Sequence, residues 1–182
     1  MVGAKDERAT LGSVTVFSLR TLRLRSGEEY RDAQEVELEP LHLGGQRYIP
    51  VPEKVEAELA ISQASTGTVF ELSFEGRLHG PCYRCLRETV VTKPISAREY
   101  EATNPDGSDE LRNPYLVDGK LDLSAWARDA LALALPEKIL CRPDCAGLCP
   151  VCGKDLNEEP HTHDEERGDP RWAVLADLKD KL

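Results

Sequence analysis

Residues 68–80, TVFELSFEGRLHG, alternate without a break. Phe70, Leu72, Phe74 and Gly76 fall on one side of an extended chain, and Val69, Glu71, Ser73 and Glu75 fall on the other. A strand with one aromatic and one wet face belongs to an antiparallel sheet with a single buried side, so Phe70 and Phe74 are expected in the core rather than exposed as base-stacking rings. Working outward, AQEVELEPLHL (33–43), KVEAELAISQ (54–63) and ETVVTKPISAREYEA (88–102) show the same period or a β-branched enrichment. GGQRYIPVP (44–52), ASTG (64–67) and GPCYRC (80–85) read as the connections between them. Four or more strands with short turns predict a meander or small barrel. Further upstream, Phe17, Leu19, Leu22 and Leu24 ahead of Gly27 suit one or two helical turns, although the alternation from Leu22 to Arg25 also suits a strand.

Downstream the character changes. Residues 104–120, NPDGSDELRNPYLVDGK, hold two Asn-Pro and two Asp-Gly steps and read as an acidic loop. Residues 121–139 read as a helix with Ser124 as N-cap, a stripe of Leu123, Ala127, Leu131 and Leu135, and Pro136 as the stop; Trp126 is expected to pack on the sheet. A second helix is predicted over 167–182, with Asp169 at the N-cap, Pro170 at the first helical position, and Trp172, Leu175 and Leu178 on one side. The predicted organisation is a flexible N-terminus (1–16) and a single domain (17–182). That domain comprises sheet (17–103), acidic loop (104–120), helix (121–139), metal-binding segment (140–166) and C-terminal helix. The fold class is α+β: mainly antiparallel β-sheet or a small barrel, with packed helices and a C-terminal zinc-knuckle segment.

Charge narrows the function. The 182 residues hold 23 Lys and Arg against 33 Asp and Glu, a net charge of −10, so the whole molecule repels a phosphate backbone and a broad RNA-binding face is not expected. The charge is uneven, however. Residues 76–98 carry Arg77, Arg84, Arg87, Lys93 and Arg98 against Glu88 alone, whereas residues 99–124 carry seven acids against two bases. Arg77, Arg84, Arg87 and Lys93 are therefore candidate contacts for RNA or another partner, and the acidic segment is a candidate for a basic protein; solvated charge is the plain alternative for both. No stretch approaches the roughly 18 apolar residues of a membrane span, and MVGAKDERATLG has charges where a signal peptide needs its apolar region, so a soluble intracellular protein is expected.

The chemistry is concentrated in six cysteines. Cys82 and Cys85 form a CxxC between two strands, Cys141 and Cys145 a CxxxC, and Cys149 and Cys152 a second CxxC; His161 and His163 follow. These are eight soft or borderline ligands in four close pairs, and tetrahedral zinc takes four. The preferred pairing joins Cys82, Cys85, Cys141 and Cys145 in one site and Cys149, Cys152, His161 and His163 in another. Joining the two CxxC pairs, or keeping Cys141 to Cys152 together and leaving the first CxxC to the histidines, remains open. His79 is a possible substitute ligand, and His42 falls in a strand. Disulfides are opposed by intracellular reduction. A redox CxxC normally opens a helix, whereas LRETVV after Cys85 reads as strand. An iron–sulfur cluster would show itself by colour. A zinc closed by four protein ligands has no open position for substrate, so one or two structural ions are expected. No glycine-rich phosphate loop and no GxSxG accompanies them, so the protein is expected not to be an enzyme and to take no small-molecule substrate.

CYRCL after an antiparallel sheet, then DLSAWARDALALALPEK, CRPDCAGLCPVCGKDLN and DPRWAVLADLK, resembles the YceD family of large ribosomal RNA subunit accumulation proteins, from about residue 17 to 182. Where some relatives have further cysteines after DLN, this chain has His161 and His163. The resemblance implies a cytoplasmic, non-enzymatic bacterial factor for accumulation of 23S ribosomal RNA. Its partners would be large-subunit precursor particles, through ribosomal RNA, a basic ribosomal protein or both, and not a membrane. The alternative is a zinc-knuckle adaptor between proteins in transcription or RNA decay.

Overall fold

The structure is a computed structural model that describes residues 14–105 and 107–163. In chain order its strands are β1 (Val16–Ser18), β2 (Glu29–Glu37), β3 (Leu41–Leu43), β4 (Gln46–Pro50), β5 (Lys54–Gln63), β6 (Gly67–Pro81), β7 (Glu88–Ala102), β8 (Leu116–Val117) and β9 (Lys120–Asp122). One α-helix, α1 (Leu123–Ala134), follows.

The alternating stretch 68–80 lies in β6, and everything else is built on it. β7 pairs antiparallel with its whole length, from Gly67 opposite Ala102 to Pro81 opposite Glu88. β6 shares its other edge between β5, opposite residues 68–73, and β4, opposite Leu78 and His79. β2 and β3 lie outside β5 and β4. The sheet stays open, since β2 and β7 do not pair, so the barrel alternative does not hold among the described residues. A three-stranded sheet, β1-β9-β8, completes the body.

The aromatic face of β6 is the core. Phe70, Leu72, Phe74 and Leu78 are buried against Val36, Leu59, Ile61 and Ile95, and α1 lays Leu123, Trp126, Ala127 and Leu131 on them. The helix comes close because of Gly76, where an added Cβ would stand 2.5 Å from Leu131 Cδ1.

Several expectations change. Residues 17–24 are not one or two α-helical turns: Phe17 lies in β1, Leu19–Thr21 make a single 3-10 turn, and the chain is extended again at Leu22. The supposed flexible N-terminus reaches too far. The Thr15 carbonyl accepts from Leu123 N at 2.9 Å, and its N–H donates to Ser124 Oγ at 3.1 Å. Residues 44–52 are not only a connection, since they contain β4; Gly44 and Gly45 both have positive φ and turn β3 into β4. Within 104–120, Asp118 and Gly119, at φ 51° and 72°, make the two-residue turn between β8 and β9. The helix is shorter than 121–139, and its cap is Asp122, whose Oδ1 accepts from Ala125 N at 2.9 Å. Ser124 is instead the acceptor that ties down Thr15. The second predicted helix, 167–182, lies outside the described residues, so packed helices reduce to one α-helix among them. No helix among the described residues is long and apolar enough to cross a membrane.

Candidate metal centres and the turns that hold them

The β6–β7 hairpin turns through Cys82-Tyr83-Arg84-Cys85-Leu86-Arg87. Cys82 N donates to Arg87 O at 2.7 Å, and Leu86 N donates back to Cys82 O at 3.0 Å. The later turn, Cys149-Pro150-Val151-Cys152-Gly153-Lys154, repeats both bonds: Cys149 N to Lys154 O at 2.8 Å and Gly153 N to Cys149 O at 2.9 Å. The fifth residue of each turn has left-handed φ, 60° at Leu86 and 72° at Gly153. The two CxxC segments are thus the same knuckle, one with the glycine that this conformation favours and one with a leucine.

The structure gathers the donors in the first of the three groupings. The ligand atoms of Cys82, Cys85, Cys141 and Cys145 lie within 4.8 Å of one another, as do those of Cys149, Cys152, His161 and His163. Cys82 Sγ stands 3.8 Å from Cys145 Sγ, and Cys85 Sγ stands 3.6 Å from Cys141 Sγ. These are far beyond the roughly 2.05 Å of a disulfide. They match the edge of about 3.8 Å that a tetrahedron with metal–sulfur bonds of about 2.3 Å requires. The second set is tighter, with Cys152 Sγ 3.1 Å from His161 Nε2. His161 Nδ1 lies 2.7 Å from the Glu159 carbonyl, so its N–H is used there and the Nε2 lone pair is left facing the sulfurs. The His161 and His163 rings sit 4.9 Å apart, as two imidazoles one residue apart on an extended segment should. His79 joins neither set, since its Nε2 lies 3.2 Å from Glu88 Oε2, and His42 lies in β3.

The electrostatics of the sulfurs follow from their surroundings. Burial pushes Cys82 up, but N–H groups of Cys85, Cys141 and Arg84 directed at it outweigh this and bring it down to about 6. The N–H of Cys152 does most to bring Cys149 down to about 6 as well. Desolvation pushes Cys141 up to about 12, and the neighbouring sulfurs add to it. Four thiolates this close repel one another, so the set is fully ionised only around a cation, and the donors fit a tetrahedral, thiophilic divalent ion. The sets differ in access: Cys82, Cys85 and Cys145 are buried with Cys141 alone exposed, whereas in the second set Cys149 alone is buried and Cys152 and His163 are exposed.

Sequence reasoning missed the residues that join the two knuckles. Arg84 Nη1 donates to Cys145 O at 2.7 Å, and the Arg84 carbonyl accepts from Leu148 N at 3.1 Å. Arg87 clasps Asp155, its Nε at 2.8 Å from Oδ2, and reaches Glu158 at 3.3 Å. Asn157 Nδ2 donates to Cys145 Sγ at 3.5 Å, while its Oδ1 accepts from Ala146 N at 2.8 Å and Arg142 Nη2 at 2.7 Å. The polar turn DLN was the available signal, because Asp and Asn beside metal ligands commonly bond the nearby backbone.

The four candidate contact bases do not form one patch. Arg84 and Arg87 are spent on this clasp. Arg77 pairs in register with Thr92 on the exposed face of β6, whereas Lys93 pairs with Gly76, whose face meets α1. Arg77 and Lys93 therefore stand on opposite faces of the sheet.

The model of the family described as large ribosomal RNA subunit accumulation protein YceD matches residues 70–179, which include both donor sets. The chain belongs to the YceD family. This YceD chain is 34% identical over 128 residues to an uncharacterised protein of Mycobacterium tuberculosis, covering 68% of this chain and 61% of that one. A Mycobacterium leprae protein, also uncharacterised, is 39% identical over 103 residues, 53% of this chain and 46% of its own. A maize protein named as a chloroplastic large ribosomal RNA subunit accumulation protein, YCED homolog 1, is 38% identical over 52 residues, 29% of this chain and 17% of its own. The chain thus spans about three fifths of the length of the Mycobacterium tuberculosis relative and less than half of the Mycobacterium leprae one. No solved structure matches.

Proposed function

We propose that this YceD chain is a cytoplasmic, non-enzymatic bacterial factor for ribosome biogenesis that promotes accumulation of 23S ribosomal RNA and is held in shape by structural zinc. The observation that carries the reading is the family match over residues 70–179, the part of the chain that contains both donor sets. Zinc is the ion the sulfur and imidazole donors favour, and four protein ligands in each set leave no coordination position for water or substrate. The metal's part is to pin turns together. What it presents to a partner is a rigid hairpin end, and the partners are large-subunit precursor particles, through RNA or a basic ribosomal protein.

Depletion of the protein in its host should lower the ratio of 23S to 16S ribosomal RNA, and the tagged protein should co-sediment with large-subunit precursors. An unchanged ratio, with the protein travelling instead with RNA polymerase or a ribonuclease, would replace this reading with the adaptor one. The metal is tested separately: two zinc ions per chain are expected by native mass spectrometry, falling to one in His161→Ala/His163→Ala.

A further inference from the structure

Among the described residues, β7 has a partner strand on one side only. Along residues 96–100, clefts of about 350 Å³ and 450 Å³ share Arg98 and Glu99 in their walls. Residues from both faces of the strand line the first cleft, Ala97 and Glu99 from the core side and Ser96 and Arg98 from the outer side, which places it at the strand's free edge. Its roof is a stripe of α1 at helical spacing: Trp126, Ala130, Leu133 and Ala134. Leu133 is 87% exposed, the most exposed of the large apolar side chains among the described residues. Trp126 is 1% exposed, and its indole N–H has no partner in the structure. α1 therefore overhangs an edge where the sheet stops one strand short of it.

The backbone is ready for that strand. Pro94 sits in the β6–β7 ladder opposite Glu75. A proline in an edge strand takes the phase whose nitrogen faces away from the neighbour. On that phase Ser96, Arg98 and Tyr100 turn N–H and C=O outward, the template that an added strand reads.

The charge around the edge is acidic. Arg98 is already offset by Glu71, 3.4 Å away. Glu99 and Glu110 stand in the cleft walls with Arg98 and Arg112, burial pushes the Glu99 carboxyl above its usual range, Glu101 accepts from Asn113 N nearby, and the segment that begins at Glu99 holds seven acids against two bases.

We infer that the β7 edge at residues 96–100, roofed by α1, is a docking groove for an extended peptide strand in which Lys or Arg alternates with apolar residues. The strand pairs with Ser96, Arg98 and Tyr100, sets its apolar side chains under Ala130 and Leu133 on the α1 face, and turns its cations to the opposite face, toward Glu110. Given the proposed function, which this identification of the partner rests on, such a strand is the tail of a basic protein of the ribosomal particle.

The test uses the metal-loaded full chain and three probes: a ten-residue peptide alternating Lys or Arg with Val or Ile, its Glu-substituted counterpart, and a single-stranded RNA oligonucleotide. The basic peptide should shift and protect from hydrogen exchange the amides of Ser96, Arg98 and Tyr100, with the acidic peptide inert. Leu133→Lys, an exposed position that leaves the fold intact, should weaken binding about tenfold or more, a loss of about 1.4 kcal/mol. Ser96→Pro should abolish it. Binding weaker than about 1 mM, shifts that map to the metal knuckles, or binding of RNA alone at this edge would each overturn the inference. Co-sedimentation with precursor particles that survives Leu133→Lys and Ser96→Pro would overturn the edge and leave the ribosomal reading standing; its absence from the wild type would remove that reading instead.

Discussion

At the scale of single residues, Asn157 and Leu86 show how a metal site depends on atoms that never touch the ion. The Asn157 amide gives a hydrogen to the Cys145 sulfur and uses its oxygen to hold the backbone at Ala146. Asn157→Ala should leave the fold intact while weakening metal binding by the Cys82, Cys85, Cys141 and Cys145 set about 10- to 100-fold, measured by competition with a chromogenic chelator. Asn157→Asp should do worse, since it replaces a donor with a charge that repels the thiolate. Leu86 is a different case. Its φ of 60° costs a leucine about 1–2 kcal/mol, which a glycine avoids at an entropic cost of about 0.5–1 kcal/mol. Leu86→Gly should therefore be neutral or slightly stabilising in thermal melts of the metal-loaded protein, whereas the β-branched Leu86→Val should be clearly destabilising. A Leu86→Gly variant as damaged as Leu86→Val would mean that the side chain, 52% exposed, serves a contact rather than the turn.

Among the elements, the interface of β6 with α1 carries the fold. Gly76→Ala puts a methyl group 2.5 Å from Leu131 Cδ1 in a packed core and should cost about 1–3 kcal/mol. Leu131→Ala should cost about 2–5 kcal/mol through the cavity it leaves. Because each change occupies or vacates the same space, the double variant should be more stable than the two losses added together, read from urea unfolding midpoints; additivity would mean that α1 had already moved away. Tyr115 joins the segment before β8 to the same helix. Its hydroxyl donates to Asp129 at 3.2 Å and its ring stacks on Trp126. Burial, then the Asp129 carboxylate, raise its ionisation to about 12 from an ordinary 10. The raised value means that the contact is intact below pH 10 and that its contribution is lost as pH climbs through 12, because the unfolded chain surrenders the proton first. Phenolate absorbance should lose a component that titrates near 12 in Tyr115→Phe, while Tyr30 and Tyr48, which burial also raises, still titrate above the ordinary value.

The sheet was legible because period-two alternation survives in any strand with one wet face, as β6 does. Short elements were not. Gly44-Gly45 and Asp118-Gly119 are two-residue hairpin turns flanked by strands of five residues or fewer, too short for a period to show, so β4 and β8 read as connection or loop and β9 was divided between the loop and the start of the helix. The cap fell on Asp122 rather than Ser124 because both types serve, and the tie to Thr15, 109 residues away, decided between them. Ligand types and pairs were legible from spacing, while the clasp of Arg84, Arg87, Asp155 and Asn157 was not, since its contacts between the two knuckles reach across 61 to 68 residues. That clasp also takes up Arg84 and Arg87, two of the four bases that, as sequence, were candidate contacts for RNA or another partner.

Across the whole molecule, the two donor sets differ in what they close. The first joins the β6–β7 turn to the segment after α1, spanning 56 residues between Cys85 and Cys141 and 63 between Cys82 and Cys145. The second is local, with Cys152 and His161 nine residues apart. A cross-link over a long loop removes more disorder from the unfolded chain than one over a short loop, and here the long one also seats the short one, since Leu148 and Asp155 rest on Arg84 and Arg87. Loss of the first set should therefore undo both, and loss of the second only itself. In hydrogen exchange followed by mass spectrometry, Cys141→Ala/Cys145→Ala should lose protection over residues 140–163 while β6 and β7 stay protected away from the turn, because their core of Phe70, Leu72, Phe74 and Ile95 owes nothing to the metal. Cys149→Ala/His161→Ala should lose protection only beyond Gly147 and keep one metal ion. Equal loss in the two variants would show that the sites form one cooperative unit, with the Arg87–Asp155 clasp carrying coupling in both directions; collapse of the sheet in the first would show that the metal is needed to close the β6–β7 hairpin itself.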